Sequence, residues 1–159
     1  MTLHELQRRL GGFDLITELS ASVEETKDEI VALNKEQLLR GLDSDGNYLS
    51  PKYSEDPYFK SHESAKRYAE WKKKIEPKRD KPFDVPNLYI TGRYHGTIDI
   101  SVTQETMITT SDDPSAGSIE QKFTDVIYGL NDDSKREYIP VVLVPLKQRI
   151  TGKLGFKFG

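Results

Sequence analysis

The chain contains no cysteine. A disulfide framework, thiolate chemistry and cysteine-based zinc sites are therefore excluded. Histidine is nearly as scarce: His4, His62 and His95 are too scattered to suggest a metal cluster. No run approaches the ~18 apolar residues of a membrane span, and the charged segment after Met1 lacks the apolar centre of a signal peptide. A soluble chain that meets no membrane, made in a reducing cytoplasm or assembled into something there, is expected. Apolar residues are themselves sparse, at 35% with 31% charged. The usual apolar share, glycine included, is ~45 to 50%. That balance suggests a modest core with long exposed segments, or a surface completed by neighbouring copies.

Catalytic signatures are missing as well. There is no Gly-x-Ser-x-Gly nucleophile elbow; Gly117-Ser118 lacks the flanking pattern. Gly92-Arg93-Tyr94-His95-Gly96 has no Lys-Ser/Thr for a phosphate loop and is not expected to open a helix. In Gly41-Leu42-Asp43-Ser44-Asp45-Gly46-Asn47-Tyr48 the alternating acids mimic a calcium loop. Tyr48 stands where the sharp-turn glycine belongs and Ser54 where the bidentate Glu belongs, so a plain hairpin turn is expected. Asp112-Asp113 and Asp132-Asp133, next to Pro, Ser or Asn, read as loop residues and helix caps rather than catalytic carboxylates. His95 is the best single candidate for proton transfer, but no partner acid or nucleophile is identifiable. Its plainer reading is a polar turn residue.

What is present is organised around residues 85–102. An extended apolar run leads into Thr91-Gly92, where glycine supplies a permissive backbone at the start of a hairpin. Ile98, Ile100 and Val102 then alternate with Asp99 and Ser101, the period of a half-buried strand. Thr103-Gln104-Glu105 is a turn candidate, and residues 106–110 read as the antiparallel partner. Thr2 with Glu5 has capping-box spacing for a helix over 2–10, and Ser22 with Glu25 for a second one running to Gly41. Along that second helix Val23, Ile30, Leu33 or Asn34, and Leu38 mark the apolar face. Ser61 or Ser64 can start a basic helix to about Ile75, ended by Pro77, with 78–81 a solvated loop. Ser118 introduces a helix carrying Ile119, Phe123, Val126 and Ile127, closed by Gly129. For 134–150 a helix is preferred over a buried strand, with Pro140 in its first turn and a kink near Pro145.

At this length a single domain is the default, able to bury roughly 68 to 70% of its unfolded surface. It divides into N-terminal helices (1–40), a loop and basic helix (41–84), a sheet with C-terminal helices (85–150) and a flexible arm (151–159). The expected fold is α+β: a small antiparallel β-sheet packed against two or three helices, with long irregular segments and the C-terminal arm. Charge is unevenly spread. Residues 1–59 carry 6 basic and 12 acidic side chains, 60–81 carry 9 and 4, and 82–159 carry 8 and 10. The middle block, with Lys72, Lys73, Lys74, Lys78 and Arg79 beside Tyr68 and Trp71, supplies charge and stacking surface for a nucleic-acid contact. Glu63, Glu70 and Glu76 interrupt it at helical pairing distances.

The order of these segments resembles that of tailed-bacteriophage tail-completion and neck proteins. The likeness spans residues 33–150. It rests on Gly41–Gly46 leading into Leu49-Ser50-Pro51-Lys52-Tyr53, the Lys-rich stretch, Leu88-Tyr89-Ile90-Thr91-Gly92-Arg93-Tyr94 before Thr97-Ile98, and Phe123–Leu130 ahead of a proline-bearing C-terminal helix. The chain departs from that layout at Tyr94, Gly96-Thr97 and Phe123-Thr124. The resemblance implies a non-enzymatic structural virion protein without cofactors, a homo-oligomeric ring joining portal and tail. Its partners would be the portal or neighbouring neck and tail proteins, with DNA met only as translocating genome in a lumen. A ring subunit gains affinity from many moderate interfaces, so it can have a thin core and oppositely charged faces that meet head to tail. Tyr53, Tyr58, Phe59, Trp71, Thr91, Gly92, Phe156 and Phe158 are the candidate interface residues. For the tyrosines, packing in the chain's own core is an equal alternative.

Overall fold

The computed structural model describes residues 2–155. Its elements run α1 (Leu3–Gly11), α2 (Leu15–Leu39), α3 (His62–Ile75), the single turn α4 (Arg93–Gly96), β1 (Ile98–Val102), β2 (Met107–Ser111), α5 (Ala116–Phe123) and α6 (Asp132–Leu154). Short 3-10 turns at Tyr53–Glu55 and Asp125–Ile127 complete the list. The fold is α+β, with six helices among the described residues and one two-stranded antiparallel sheet. No described helix is long and apolar enough to cross a membrane.

The frame is the antiparallel pair α2 and α6. Contacts descend along α6 as they ascend along α2: Lys153 pairs with Glu18, Arg149 with Glu25 at 2.9 Å, and Tyr138 shares a hydroxyl hydrogen bond with Thr26 at 2.8 Å. At the far end two buried amides fix the link into α6. Asn34 Nδ2 donates to the carbonyls of Ile127 (3.2 Å) and Gly129 (3.0 Å), and Gln37 Oε1 accepts from the Asn131 backbone N–H at 2.8 Å. Buried amides paired to backbone groups specify register more sharply than apolar contacts do. The sheet lies against this frame. β1 pairs with β2 from Ile98↔Ser111 to Val102↔Met107, and its inward Ile98 and Ile100 join Ile30, Leu38, Leu49, Phe123 and Ile127 in the main core.

Several elements differ from expectation for identifiable reasons. α2 begins at Asp14, whose carboxylate accepts the Ile16 N–H at 3.0 Å, and not at Ser22. Ser22 lies inside the helix, fully buried, its hydroxyl donating back to the Glu18 carbonyl at 2.7 Å. Gly92 does take φ +82, but it caps the helical turn α4 and does not itself turn the chain into a hairpin; the hairpin closes at Thr103–Thr106. The helix read from Ser118 through Ile127 is broken. α5 stops at Phe123 because Thr124 adopts φ 62, and Asp125–Ile127 is a separate 3-10 turn before Gly129 at φ 94. The 134–150 segment is helical as preferred. Its start at Asp132 puts both prolines in the interior, so Pro140 is not in the first turn. Helix continues through Leu154, which is buried, so residues 151–154 are not part of the flexible arm expected over 151–159; Phe156 and Phe158 lie outside the described residues.

Candidate functional site

The segment 51–59, without period in the sequence, folds onto α3. Ser61 caps α3 by accepting the Ser64 N–H at 3.2 Å, and the small Ala65 and Ala69 bring its backbone close to Tyr53. Tyr53 N–H donates to the Asp84 carbonyl at 3.0 Å, and Ser54 N–H to the Asp84 carboxylate at 3.0 Å. The aromatic turn is thereby tied to the run that leads into α4. Between these pieces and α5 lies a groove of about 570 Å³, walled by Tyr53, Tyr58, Phe59, Tyr68, Ile90 and Ile119. Lys122 of α5 closes one rim through its ion pair with Asp56.

The aromatic side chains form one connected chain. Ring centroids are 5.1 Å apart for Tyr53 and Tyr68, 5.1 Å for Phe59 and Tyr68, 5.2 Å for Tyr58 and Phe59, and 5.4 Å for Tyr68 and Trp71. Tilted and edge contacts of this kind add about 0.5 to 1.5 kcal/mol each beyond area burial. The chain starts inside and ends outside. Tyr53 is buried and Phe59 half-buried, whereas Tyr58 is 79% exposed, Trp71 43% and Ile90 55%. For Tyr53 the own-core reading therefore holds, and for Tyr58 and Trp71 the surface is free. Burial pushes the pKa of the Tyr53 and Tyr68 hydroxyls upward, so both stay neutral phenols.

Lys72 reaches the groove from below. It is a correction to the expected nucleic-acid surface, because the residue is only 2% exposed. Its ammonium donates to Asn87 Oδ1 at 2.9 Å and lies 3.8 Å from Glu76, which Lys81 approaches at 3.1 Å. Burial lowers the Lys72 pKa to about 8, against the pull of Glu76. Arg79 is likewise occupied, with its Nε donating to both Glu36 oxygens at 2.7 and 2.9 Å. The 78–81 stretch is thus anchored at Arg79 and Lys81 and is not simply a solvated loop. Lys73, Lys74 and Lys78 remain exposed.

His95 is no surface turn residue. α4 turns it inward beside Tyr89 and Tyr94, with ring centroids at 5.7 and 5.8 Å, and neither ring nitrogen meets a partner at hydrogen-bond geometry. Burial, then the charge on Lys72, hold its pKa down at about 4; the Asn87 backbone acts in the opposite sense. Thr91 accepts the Arg93 N–H at 3.3 Å, and Gly92 passes so close to Tyr89 that a Cβ would sit 3.0 Å from its ring. Both position α4, and Thr91 is exposed. Asp113 pairs with Arg93 at 3.3 Å, and Asp133 with Arg136 at 2.8 Å in the first turn of α6. Asp43 spends one carboxylate oxygen on its own loop, accepting from Asp45 N–H (3.0 Å) and Asn47 N–H (2.8 Å), while Leu42 bridges Tyr48 as in a hairpin turn.

Sequence reasoning missed Ile90, Ile119, Asp56 and Lys122 as groove residues. Asp56 and Lys122 are 66 positions apart, and no local signal joins them. Ile90 alone carried a trace, as a large apolar residue in a run that ends at a glycine. Compared with known proteins, the chain matches no family model, no curated protein and no solved structure.

Proposed function

We propose that this chain is a structural virion subunit of a tailed bacteriophage, a head-to-tail connector or tail-completion protein acting in a ring that joins portal and tail. The observation that carries the reading is the free aromatic surface: Tyr58, Trp71 and Ile90 stand exposed beside a preformed groove on a chain otherwise rich in charge. Exposed aromatics of this kind mark protein interfaces, where they supply contact area at low entropic cost. The order of sequence segments that resembles neck proteins supports the choice of assembly. The subunit works without cofactor or catalysis, in the virion, after assembly in the host cytoplasm. Its partners are copies of itself and the portal or adjoining neck and tail proteins. DNA is met only where residues line the lumen, and the burial of Lys72 and the pairing of Arg79 remove two of the cations a nucleic-acid interface would use.

Peptide mass spectrometry of gradient-purified particles, quantifying this chain against the portal subunit, tests the proposal. A ratio near one, or a simple fraction or multiple, is expected. Absence from particles overturns it.

A further inference from the structure

A second apolar cavity, of about 480 Å³, lies between the first turns of α2 and the hairpin, lined among others by Ile16, Leu19, Val23, Val102 and Met107. Ile16, Leu19 and Met107 are exposed on its lip. Its wall includes Glu105, and along α2 Glu24 and Lys27 lie one turn beyond the wall residues Ser20 and Val23. Lys27 binds Glu24 at 2.9 Å and is held protonated chiefly by that contact, with Asp99 adding to it. With Glu105 in the wall and the Glu24–Lys27 pair on the next turn of α2, the cavity is apolar with a net acidic border.

The outer face of α3 has the converse character. Trp71 projects there between Arg67, four residues before it, and Lys74, three after it, the spacings that place side chains side by side on a helix. The exposed charges of α3 are Lys66, Arg67, Lys73 and Lys74 against Glu63 and Glu70. Arg67 is loosely held, 3.8 Å from Glu63 with both side chains more than two-thirds exposed, so the pair offers little resistance to a better partner.

We infer that the Trp71 ridge of one copy seats in the α2–hairpin cavity of the next, with Arg67 and Lys74 against Glu105 and Glu24. The occupant is a second copy of this chain because both halves of the match, apolar knob to apolar cavity and basic flank to acidic border, lie on the one sequence. The two surfaces differ, so the contact is heterologous and propagates head to tail until it closes. The inference rests on the ring-subunit reading and names the faces that reading needs.

Two variants test it: Trp71→Glu blocks the ridge and leaves the cavity, and Leu19→Glu blocks the cavity and leaves the ridge. Sedimentation velocity and native mass spectrometry of the full chain are expected to give oligomers for the wild type and monomers for each variant. An equimolar mixture of the two should form a dimer and nothing larger, since only one productive contact remains. Arg67→Glu with Lys74→Glu, which leaves every apolar contact in place, should weaken wild-type association at least tenfold, and circular dichroism checks that each variant is folded. A wild type that assembles while all variants assemble equally overturns the ridge-and-cavity contact and leaves the ring reading standing. Folded variants that stay monomeric when mixed also overturn the contact. A wild type that is monomeric at every concentration overturns both.

Discussion

Glu76 is the residue on which a buried charge cluster depends. It lies 3.1 Å from the Lys81 ammonium and 3.8 Å from that of Lys72, with all three side chains nearly inaccessible. Removing the counter-charge that the other members of a buried ionic group share strands them, at roughly 3 to 5 kcal/mol. Glu76→Gln keeps the shape and leaves two ammonium groups uncompensated, so urea denaturation should show a loss of that order. Lys72→Met leaves Lys81 on Glu76 and removes a desolvated charge; it should be close to neutral, and a loss matching that of Glu76→Gln would refute this account of the cluster. His95 gives a pH dependence of definite sign. Its folded-state pKa of about 4 lies below the ordinary 6.5, so between those values the unfolded chain binds a proton that the folded chain refuses. Its contribution is complete above pH 6.5, declines as pH falls through the window and levels off below 4, an integrated loss of about 3 kcal/mol. Comparing wild type with His95→Gln by denaturation at pH 7.5 and 4.5 cancels the carboxylates common to both. The variant should lose less stability on acidification, and equal losses would show that His95 is not buried neutral. Thr124 is strained in a simpler way: it is exposed and holds φ 62 with ψ -169, a region that glycine alone enters freely. Thr124→Gly should raise stability by about 1 kcal/mol, read as a higher denaturation midpoint at unchanged slope.

At the scale of elements, the start of α2 offers the sharpest contrast between two competing signals. Asp14 accepts the Ile16 N–H and binds the Thr17 hydroxyl at 2.7 Å, so Asp14→Ala should cost about 1 kcal/mol, the usual value of a cap. The Ser22 and Glu25 pair has the spacing of a capping box, yet it belongs to the interior because the apolar face and the Glu18–Lys153 contact extend the helix a further two turns. A local pattern cannot report a partner 135 residues away. The same limit explains the other differences. α3 was legible because its cap, its small inward residues and its terminal prolines are all local, and the β1–β2 hairpin because alternation sets its register. Lys72 was misplaced because its helical spacing from Ala65 and Ala69 agrees with a buried face, while lysine as a residue type argues for solvent; only Asn87 and Glu76, brought in by the fold, resolve that conflict. In α6 the two prolines each remove a backbone donor at about 3 kcal/mol in a true interior. The length of packing against α2 and the Asn131 cap hold the helix against that cost. The aromatic groove was half legible: its aromatics were visible as candidate interface residues, but which of them face inward depends on Asp84 fastening residues 53 and 54 from outside the segment.

For the whole molecule the question is how a chain with so modest an apolar share is held folded. Seven of the nine residues of α1 are exposed and none is buried, and Leu3, Leu10, Leu15, Ile16, Leu19, Met107 and Ile108 are exposed together with Tyr58 and Trp71. Apolar area left in water contributes nothing to the isolated subunit, yet each square ångström covered by a neighbour contributes about 25 cal/mol before the entropic cost of association. Stability and assembly should therefore be linked. Where a folded copy binds another and an unfolded one does not, each tenfold rise in concentration above the dissociation constant adds about 1.4 kcal/mol to the folded state. Thermal unfolding of the wild type is expected to shift to higher temperature as protein concentration increases, while Trp71→Glu should start near the dilute wild-type value and stay there. A wild-type midpoint independent of concentration would mean that the exposed aromatics make no self-contact. The aromatic surface would then have to be matched to a different protein, and the portal is the first to mix with it, because a portal-dependent rise in the same midpoint measures that contact in the same units.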